Sequence, residues 1–262
     1  MQETAVNNQC PPGSTPRVLL AFETSGQRCS VALARLEDDR IITVSLAEDA
    51  GQDHSRICLA MAKQLLSNAQ LGLSHIDAIA FDAGPGSFTG LRIGCGIAQG
   101  LGFALNRPLI CVGSLEALAW RAQASQVLVA SDARMQEVYV GAYHVRDDQM
   151  LEVHKPQVLA ASAAVKLFEQ QLVTGCLGKE PALIGDGFAR YPELAQFAQH
   201  HGLTVRADVG PDADSIARIA WLRYLEGRVV NAAQAAPLYV RDKVALDVDE
   251  QQKLRQARAA AG

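Results

Sequence analysis

Glycine punctuates one stretch of this chain too often for an ordinary helix. Gly84, Gly86, Gly90, Gly94, Gly96, Gly100 and Gly102 crowd into the run Gly84-Pro85-Gly86-Ser87-Phe88-Thr89-Gly90-Leu91-Arg92-Ile93-Gly94 and the residues directly after it. The run follows a mostly apolar segment, Ile76 to Ala83, that reads as a buried strand, and it opens a helically spaced segment from Phe88 to Leu105. Strand, glycine turn and helix together are the usual geometry for holding phosphate on helix N-terminal amides. Inside the helix, however, Gly94, Gly96, Gly100 and Gly102 cost roughly 3–4 kcal/mol relative to alanine. Something must offset that cost, and close approach by a neighbouring backbone is the obvious candidate.

The rest of this helix is nearly all apolar. Gly90, Gly94, Ala98 and Gly102 recur every four residues, as do Gly96, Gly100 and Ala104, and Arg92, Cys95 and Gln99 form a polar strip on one side. An earlier helix, from His54 to Asn68, places Ile57, Met61 and Leu65 on one stripe. Cys58, Ala62, Leu66 and Leu59 widen that stripe to about 200°. Two readings stay open. Either these helices are sandwiched within their own domain, or each packs on a sheet with one face and on another protein with the other.

Around them the chain reads as two halves of like order. Val18 to Phe22, Cys29 to Leu36 and Ile41 to Leu46 form an antiparallel meander, with charged turn Glu37-Asp38-Asp39-Arg40. The His54 helix, the Ile76 strand, the glycine helix and a strand at Pro108 to Val112 follow. The second half repeats the order: a hairpin from Val127 to Ser131 and Glu137 to Val145, a helix from Ala161 to Leu172, a strand at Ala182 to Gly185, and an amphipathic helix from Asp212 to Glu226. Meander first, then alternating helix and parallel strand, predicts mixed sheets with helices on their faces. The expected division is a disordered tail at 1–16, a first domain at 17–112, a second at 113–245 whose last helix can pack back on the first, and a flexible tail at 246–262.

Composition excludes several classes. A net charge of -4 gives no sign of a dedicated nucleic-acid-binding surface, and no apolar run approaches the roughly 18 residues of a membrane helix. Met1 to Pro16 is too polar for a signal peptide. Cys10, Cys29, Cys58, Cys95, Cys111 and Cys176 are scattered singly, the pattern of free thiols in a reducing cytoplasm.

Chemistry is harder to find. The turn lacks the Lys-Ser/Thr ending of a P-loop, and Gly94-x-Gly96-x-x-x-Gly100 lies inside the helix instead of at its start. Gly84, Gly86 and Ser87 can still meet a nucleotide phosphate, with Ser87 or Thr89 capping the helix, and a purely structural tight turn is the alternative. His54 and Cys58 are spaced i, i+4, yet no third metal ligand lies near in sequence. Ser25 and Ser87 have no recognisable His/Asp partners, so no catalytic residue is assigned and a protease reading has no nucleophile. His200-His201 reads as a solvated polar connection. Asp132, Arg134 and Glu137 make a charged hairpin, the second candidate for a functional surface.

The Gly84-to-Gly94 run with Gly96-Ile-Ala-Gln-Gly100 resembles the signature of the TsaB (YeaZ) family. So do Glu23-Thr24-Ser25, His54-Ser55, Asp132-Ala-Arg-Met-Gln-Glu-Val-Tyr139 and Pro237-Leu-Tyr-Val-Arg241, and the resemblance runs from about Val18 to Val244. It implies an α/β protein with the actin/Hsp70-like (ASKHA) fold, two related domains with mixed sheets flanked by helices. It also implies a cytoplasmic, non-catalytic subunit in the formation of N6-threonylcarbamoyladenosine beside the anticodon of tRNAs reading codons that start with A. The partners implied are TsaD, the paralogue that transfers the threonylcarbamoyl group, and the ATPase TsaE, through which alone ATP and magnesium enter. tRNA is met through the complex. The alternative is an independent ATP-binding kinase or ATPase of the same fold.

Pairing of the paralogues through their first two helices implies an interface at His54, Ile57, Cys58, Met61, Gly90, Arg92, Gly94, Ile97, Ala98 and Leu101; for the chain alone, so apolar a surface leaves open a competing homodimer through the same two helices. TsaD carries a His-x-x-x-His metal motif at positions that correspond here to Ser114 and Leu118, which cannot hold a metal in that way. Glu23 stands where relatives commonly have Asp, which argues further against a nucleotide or magnesium role.

Overall fold

A computed structural model of the chain describes residues 17–26, 28–49, 53–146, 149–175, 177 and 180–241. The tails expected at 1–16 and 246–262, with Cys10 and Cys176, lie outside the described residues. The chain opens with the antiparallel strands β1 (Val18–Glu23), β2 (Arg28–Glu37) and β3 (Arg40–Asp49). Helix α1 (His54–Asn68), strand β4 (Ala78–Gly84), helix α2 (Phe88–Leu105) and strand β5 (Leu109–Gly113) follow. β4 joins β1 in parallel and β5 joins β4 in parallel, giving the order β3-β2-β1-β4-β5. Every residue of β1 and β4 is buried, as near-continuous apolar runs at the centre of a covered sheet require.

Helix α3 (Ser114–Arg121) leads into the second half. There β6 (Gln126–Asp132), β7 (Glu137–Arg146) and β8 (Gln149–Ala160) form a meander. Helix α4 (Ala161–Val173), strand β9 (Ala182–Ile184), the one-turn α5 (Gly187–Arg190), helix α6 (Pro192–His200), strand β10 (Val205–Arg206) and helix α7 (Ala213–Leu225) complete it. Its sheet runs β8-β7-β6-β9-β10, element for element the order of the first. The duplication is therefore visible in topology although the two halves share no sequence repeat. Two such mixed sheets flanked by helices make the actin/Hsp70-like architecture.

The first sheet is covered on both faces. Cys58, Met61 and Leu65 of α1, with Cys95 and Ala98 of α2, pack on Leu20, Phe22, Val31 and Phe81. The opposite face receives α7, from the far end of the chain, whose Ile216, Ala220 and fully buried Trp221 meet Leu19, Ala21, Ala32 and Ile110. Asp212 caps α7 by accepting the Ser215 amide at 2.9 Å, and Ser30 Oγ of β2 accepts the Ala213 amide at 2.9 Å. No helix among the described residues is long and apolar enough to cross a membrane.

The structure adds elements that the sequence pattern did not give and corrects one local reading. α3, β8, α5, α6 and β10 have no counterpart in the sequence pattern. β8 is an edge strand that tolerates Pro156 and interior charges, so its periodicity is hidden. His200 and His201 are not a polar connection. His200 ends α6, while the His201 ring packs 4.9 Å from that of Phe197 and lies 2.9 Å from the Glu169 carboxylate.

Candidate functional site

The glycines of α2 fall into two sets with different neighbours. After β1 the chain turns through Thr24 and Ser25, and this turn is seated directly on the N-terminal half of α2. Thr24 Oγ1 donates to the Gly90 carbonyl at 2.8 Å, and the Ser87 amide donates to the Ser25 carbonyl at 3.0 Å. A Cβ at Gly90 would lie 1.9 Å from the Thr24 carbonyl oxygen, and one at Gly94 would lie 2.4 Å from Thr24 Oγ1. Gly96 and Gly100 differ: a Cβ at either meets nothing within 4 Å. The first set makes room for the chain's own turn. The second makes room for nothing inside the chain.

This seating bears on the phosphate reading. The Ser87 amide is engaged by Ser25, the Gly90 amide by the capping Ser87 Oγ at 3.3 Å, and the Gly86 Cα abuts Ser25. Gly84 adopts φ +103° to make the turn, and the Leu238 carbonyl lies 3.3 Å from where its Cβ would be. Gly84, Gly86 and Ser87 are thus spent on intramolecular packing.

Beneath the turn lie two buried carboxyls, Glu23 and Asp82, of which sequence reading passed over Asp82. Glu23 Oε1 accepts the Ser25 amide at 2.6 Å and the Ser25 hydroxyl at 2.7 Å. Asp82 Oδ1 accepts the Gly84 amide at 2.8 Å and the Ser114 hydroxyl at 2.6 Å, and Oδ2 has no partner among the described residues. Burial pushes both carboxyls above the usual range, and the neighbouring Asp82 charge drives Glu23 further. The signal was there: Asp82 is the sole charge in an otherwise apolar strand. Among the described residues no group of three or more His, Cys, Asp or Glu is gathered to hold a metal. His54 Nε2 instead lies 3.3 Å from the Gly26 carbonyl, while Cys58 is buried, its thiol pushed up by burial.

The structure also sorts the ten expected interface residues. Cys58, Met61, Gly90, Gly94 and Ala98 are buried in the first domain and offer nothing to a partner, because they form the inward faces of α1 and α2. His54, Ile57, Ile97 and Leu101 are half-buried, and Arg92 is exposed. The outward surface is made by other residues: Leu59 at 47% exposure on α1, and Phe88 at 50%, Gly96, Gly100 and Phe103 at 83% on α2. Periodicity could not separate the two sets, since both faces are apolar.

The polar strip of α2 has its own occupant. A segment beyond α7 crosses it, with the Ala235 carbonyl accepting from Gln99 Nε2 at 3.0 Å and from the Cys95 thiol at 3.8 Å. The Leu238 amide donates to the Ala83 carbonyl at 2.6 Å. The Arg92 guanidinium lies 3.2 Å over the Phe88 ring and 5.3 Å from that of Tyr239. Arg241 then reaches the second domain, donating to the Ala133 carbonyl at 3.0 Å and to Glu137 at 2.5 Å. The charged hairpin is tied down as well. Asp132 accepts from the Tyr191 hydroxyl at 2.7 Å and pairs with Arg190 at 3.0 Å. Burial would raise its carboxyl, but these donors and the Arg134 amide outweigh burial and hold it low.

Comparison with known proteins places this arrangement. The family model described as TsaD, tRNA N6-adenosine threonylcarbamoyltransferase, matches residues 45–247. The tRNA threonylcarbamoyladenosine biosynthesis protein TsaB of Haemophilus influenzae is 36% identical over 238 residues, 86% of this chain and 94% of the relative. That of Escherichia coli is 34% identical over 87% of this chain and 96% of the relative. The chain belongs to the TsaB family. YeaZ from Pseudomonas aeruginosa superimposes with a TM-score of 0.70 at 35% identity, over 85% of this chain and 99% of that one. A second structure, described as an uncharacterized protein with similarity to peptidase YEAZ from the same organism, gives 0.72 at 34% identity, over 86% and 100%. In this TsaB chain the Ser25 hydroxyl donates to the Glu23 carboxylate and the Ser114 hydroxyl to that of Asp82. Ser114 and Leu118, where the resemblance to TsaD implies its two histidines, are both buried.

Proposed function

We propose that this chain is a non-catalytic subunit that binds and organises the TsaD paralogue, with TsaE, for N6-threonylcarbamoyladenosine formation in tRNA. The observation that carries the reading is the pair Gly96 and Gly100. Each lowers the stability of α2 by about 1 kcal/mol relative to alanine, and nothing in the chain occupies the space they leave. A helix face that keeps glycine without an internal reason is suited to close approach by another backbone. Phe103 and Leu59 supply exposed apolar area beside it. Family membership supports TsaD as the occupant, and the filled turn at Ser25 and Ser87 supports a subunit without its own phosphate chemistry.

Replacing Gly96 or Gly100 with Leu tests this. Both side chains would project into open space, so the isolated variants should keep the circular dichroism spectrum of the parent. They should lose co-purification with TsaD and fail to restore modified tRNA in cells lacking the native subunit. Retained complex formation would refute the reading. Gly94→Leu and Ala98→Leu are unsuitable, because both positions are buried and the fold itself would suffer.

A further inference from the structure

Across the first sheet from α2, on the side covered by α7, the two halves of the chain enclose a cavity of about 940 Å3. Its walls come from α3, α7, the start of β6 and the β7–β8 hairpin, and no residue of α2 or of the Thr24–Ser25 turn lines it. The volume is that of a small-molecule site. Trp120, Met150, Ile219 and Leu222 give it an apolar floor. Trp120 is half-buried, and Met150 packs against the apolar clusters of both sheets, which brings the β7–β8 hairpin up to α7.

The charges at the wall cancel: Arg146, Arg223 and Arg228 stand against Glu116, Glu152 and Glu226. Two pairs are closed within the protein, Arg223 with Glu116, largely buried, and Arg228 with Glu226 at 3.1 Å on the rim. An ion entering the cavity would lose hydration without meeting a net opposite charge, whereas a neutral molecule loses far less. The wall also carries the uncharged hydrogen-bonding side chains of Ser125, Gln126 and Gln149.

Tyr143 adds a donor with no partner of its own. Its side chain is fully buried, and its hydroxyl makes no hydrogen bond among the described residues. It faces Glu152 directly across the β7–β8 ladder, and the charges that act on it are Glu116, Glu152 and Arg223, all at the cavity wall. The fold makes room for this ring: a Cβ at Gly141 would lie 2.8 Å from Tyr143 Cε2 and 2.9 Å from its Oη, so β7 keeps a glycine in mid-strand. Buried hydroxyls are ordinarily hydrogen-bonded. Glu152 is exposed, so its side chain can turn aside and admit a ligand atom to this one.

We propose that this cavity binds an uncharged purine nucleoside, with the base against Trp120 and Met150, its edge on the Gln126 and Gln149 carboxamides, and an acceptor atom on the Tyr143 hydroxyl. Carboxamides match the adjacent donor and acceptor on a purine edge, and an indole and a thioether suit its flat faces. The cavity and the outward face of α2 lie on opposite sides of the first sheet, so the inference does not depend on the proposed function.

Calorimetric titration of the full chain with adenosine, cytidine and AMP tests it. Adenosine should bind saturably and cytidine more weakly. AMP brings a dianion into a cavity that holds three carboxylates, and should bind about tenfold more weakly than adenosine. Tyr143→Phe deletes a hydroxyl that has no partner in the chain, so the melting temperature should not fall while adenosine affinity drops about fivefold. Gln149→Ala, at an exposed position, should weaken adenosine by a similar factor, and Gly100→Leu should leave it unchanged. No saturable binding of adenosine up to its solubility limit overturns the proposal. AMP or cytidine binding as tightly as adenosine overturns the ligand class. Unchanged affinity in both Tyr143→Phe and Gln149→Ala places the nucleoside elsewhere and overturns the site. Gln149 lies outside the core, so the test stands even if Tyr143→Phe folds poorly.

Discussion

Adding one methyl group at each glycine of α2 should move stability in opposite directions depending on which way the glycine faces. At Gly96 and Gly100 the added Cβ meets nothing, so alanine brings only its helix preference, a gain of about 0.5–1 kcal/mol at each site. For a chain of this size each such gain should raise the melting temperature by about 2 °C. At Gly90 the same methyl would sit 1.9 Å from the Thr24 carbonyl oxygen and 3.0 Å from its carbonyl carbon. That is backbone, held by the Thr24–Gly90 and Ser25–Ser87 hydrogen bonds, and it cannot swing aside as a side chain would. Overpacking of this kind costs about 1–3 kcal/mol or more, which exceeds the helix gain. Gly102 lies between the extremes: its Cβ would meet Leu109 Cδ2 at 2.6 Å, the end of a side chain that can yield, so Gly102→Ala should fall between the two sets. Urea unfolding of the isolated chain, followed by circular dichroism, measures all four variants on one scale. A Gly90→Ala protein as stable as the parent, or a Gly96→Ala protein less stable than it, would show that the two sets of glycines have been assigned wrongly. The stabilised Gly96→Ala and Gly100→Ala proteins should nevertheless bind TsaD more weakly than the parent, an opposition of stability and function that a purely structural role would not produce.

Two further outcomes follow from the turn and the crossing segment. Glu23 and Asp82 have folded-state affinities for protons raised above their ordinary values, Glu23 to about 8. Their contribution to stability is therefore full below about pH 4 and is lost as pH rises toward 8. Glu23→Gln keeps the acceptor that binds Ser25 but not the charge, so thermal unfolding should show a higher melting temperature than the parent at pH 8 and a flatter profile between pH 5 and 8; identical slopes would count against it. Arg241→Ala removes the contacts to Ala133 and Glu137, with an expected loss of about 1–3 kcal/mol. Hydrogen exchange should then quicken at the Leu238 amide, which donates to Ala83, and unchanged protection there would mean that Arg241 does not hold the segment in place.

Local pattern carried the first domain far. α1 and α2 span His54–Asn68 and Phe88–Leu105, the same bounds that spacing predicts; β1, β2 and β3 are longer than predicted by a residue or more, while β4 starts two residues later than predicted and β5 is shifted by one. The resemblance in the glycine run was enough to name the family. These features are local: a helical period, a turn and a contiguous signature are all written within a few residues. The sequence alone could not say which face of a helix apolar all round is covered, because burial depends on what the rest of the chain brings near. Thr24 decides that Gly90 and Gly94 face inward, and α7 and the Ala235–Arg241 segment reach the first domain from the far end of the chain. Sequence set the glycines on one helix, and only tertiary packing divided them into those that seat the chain's own turn and those left open to another molecule.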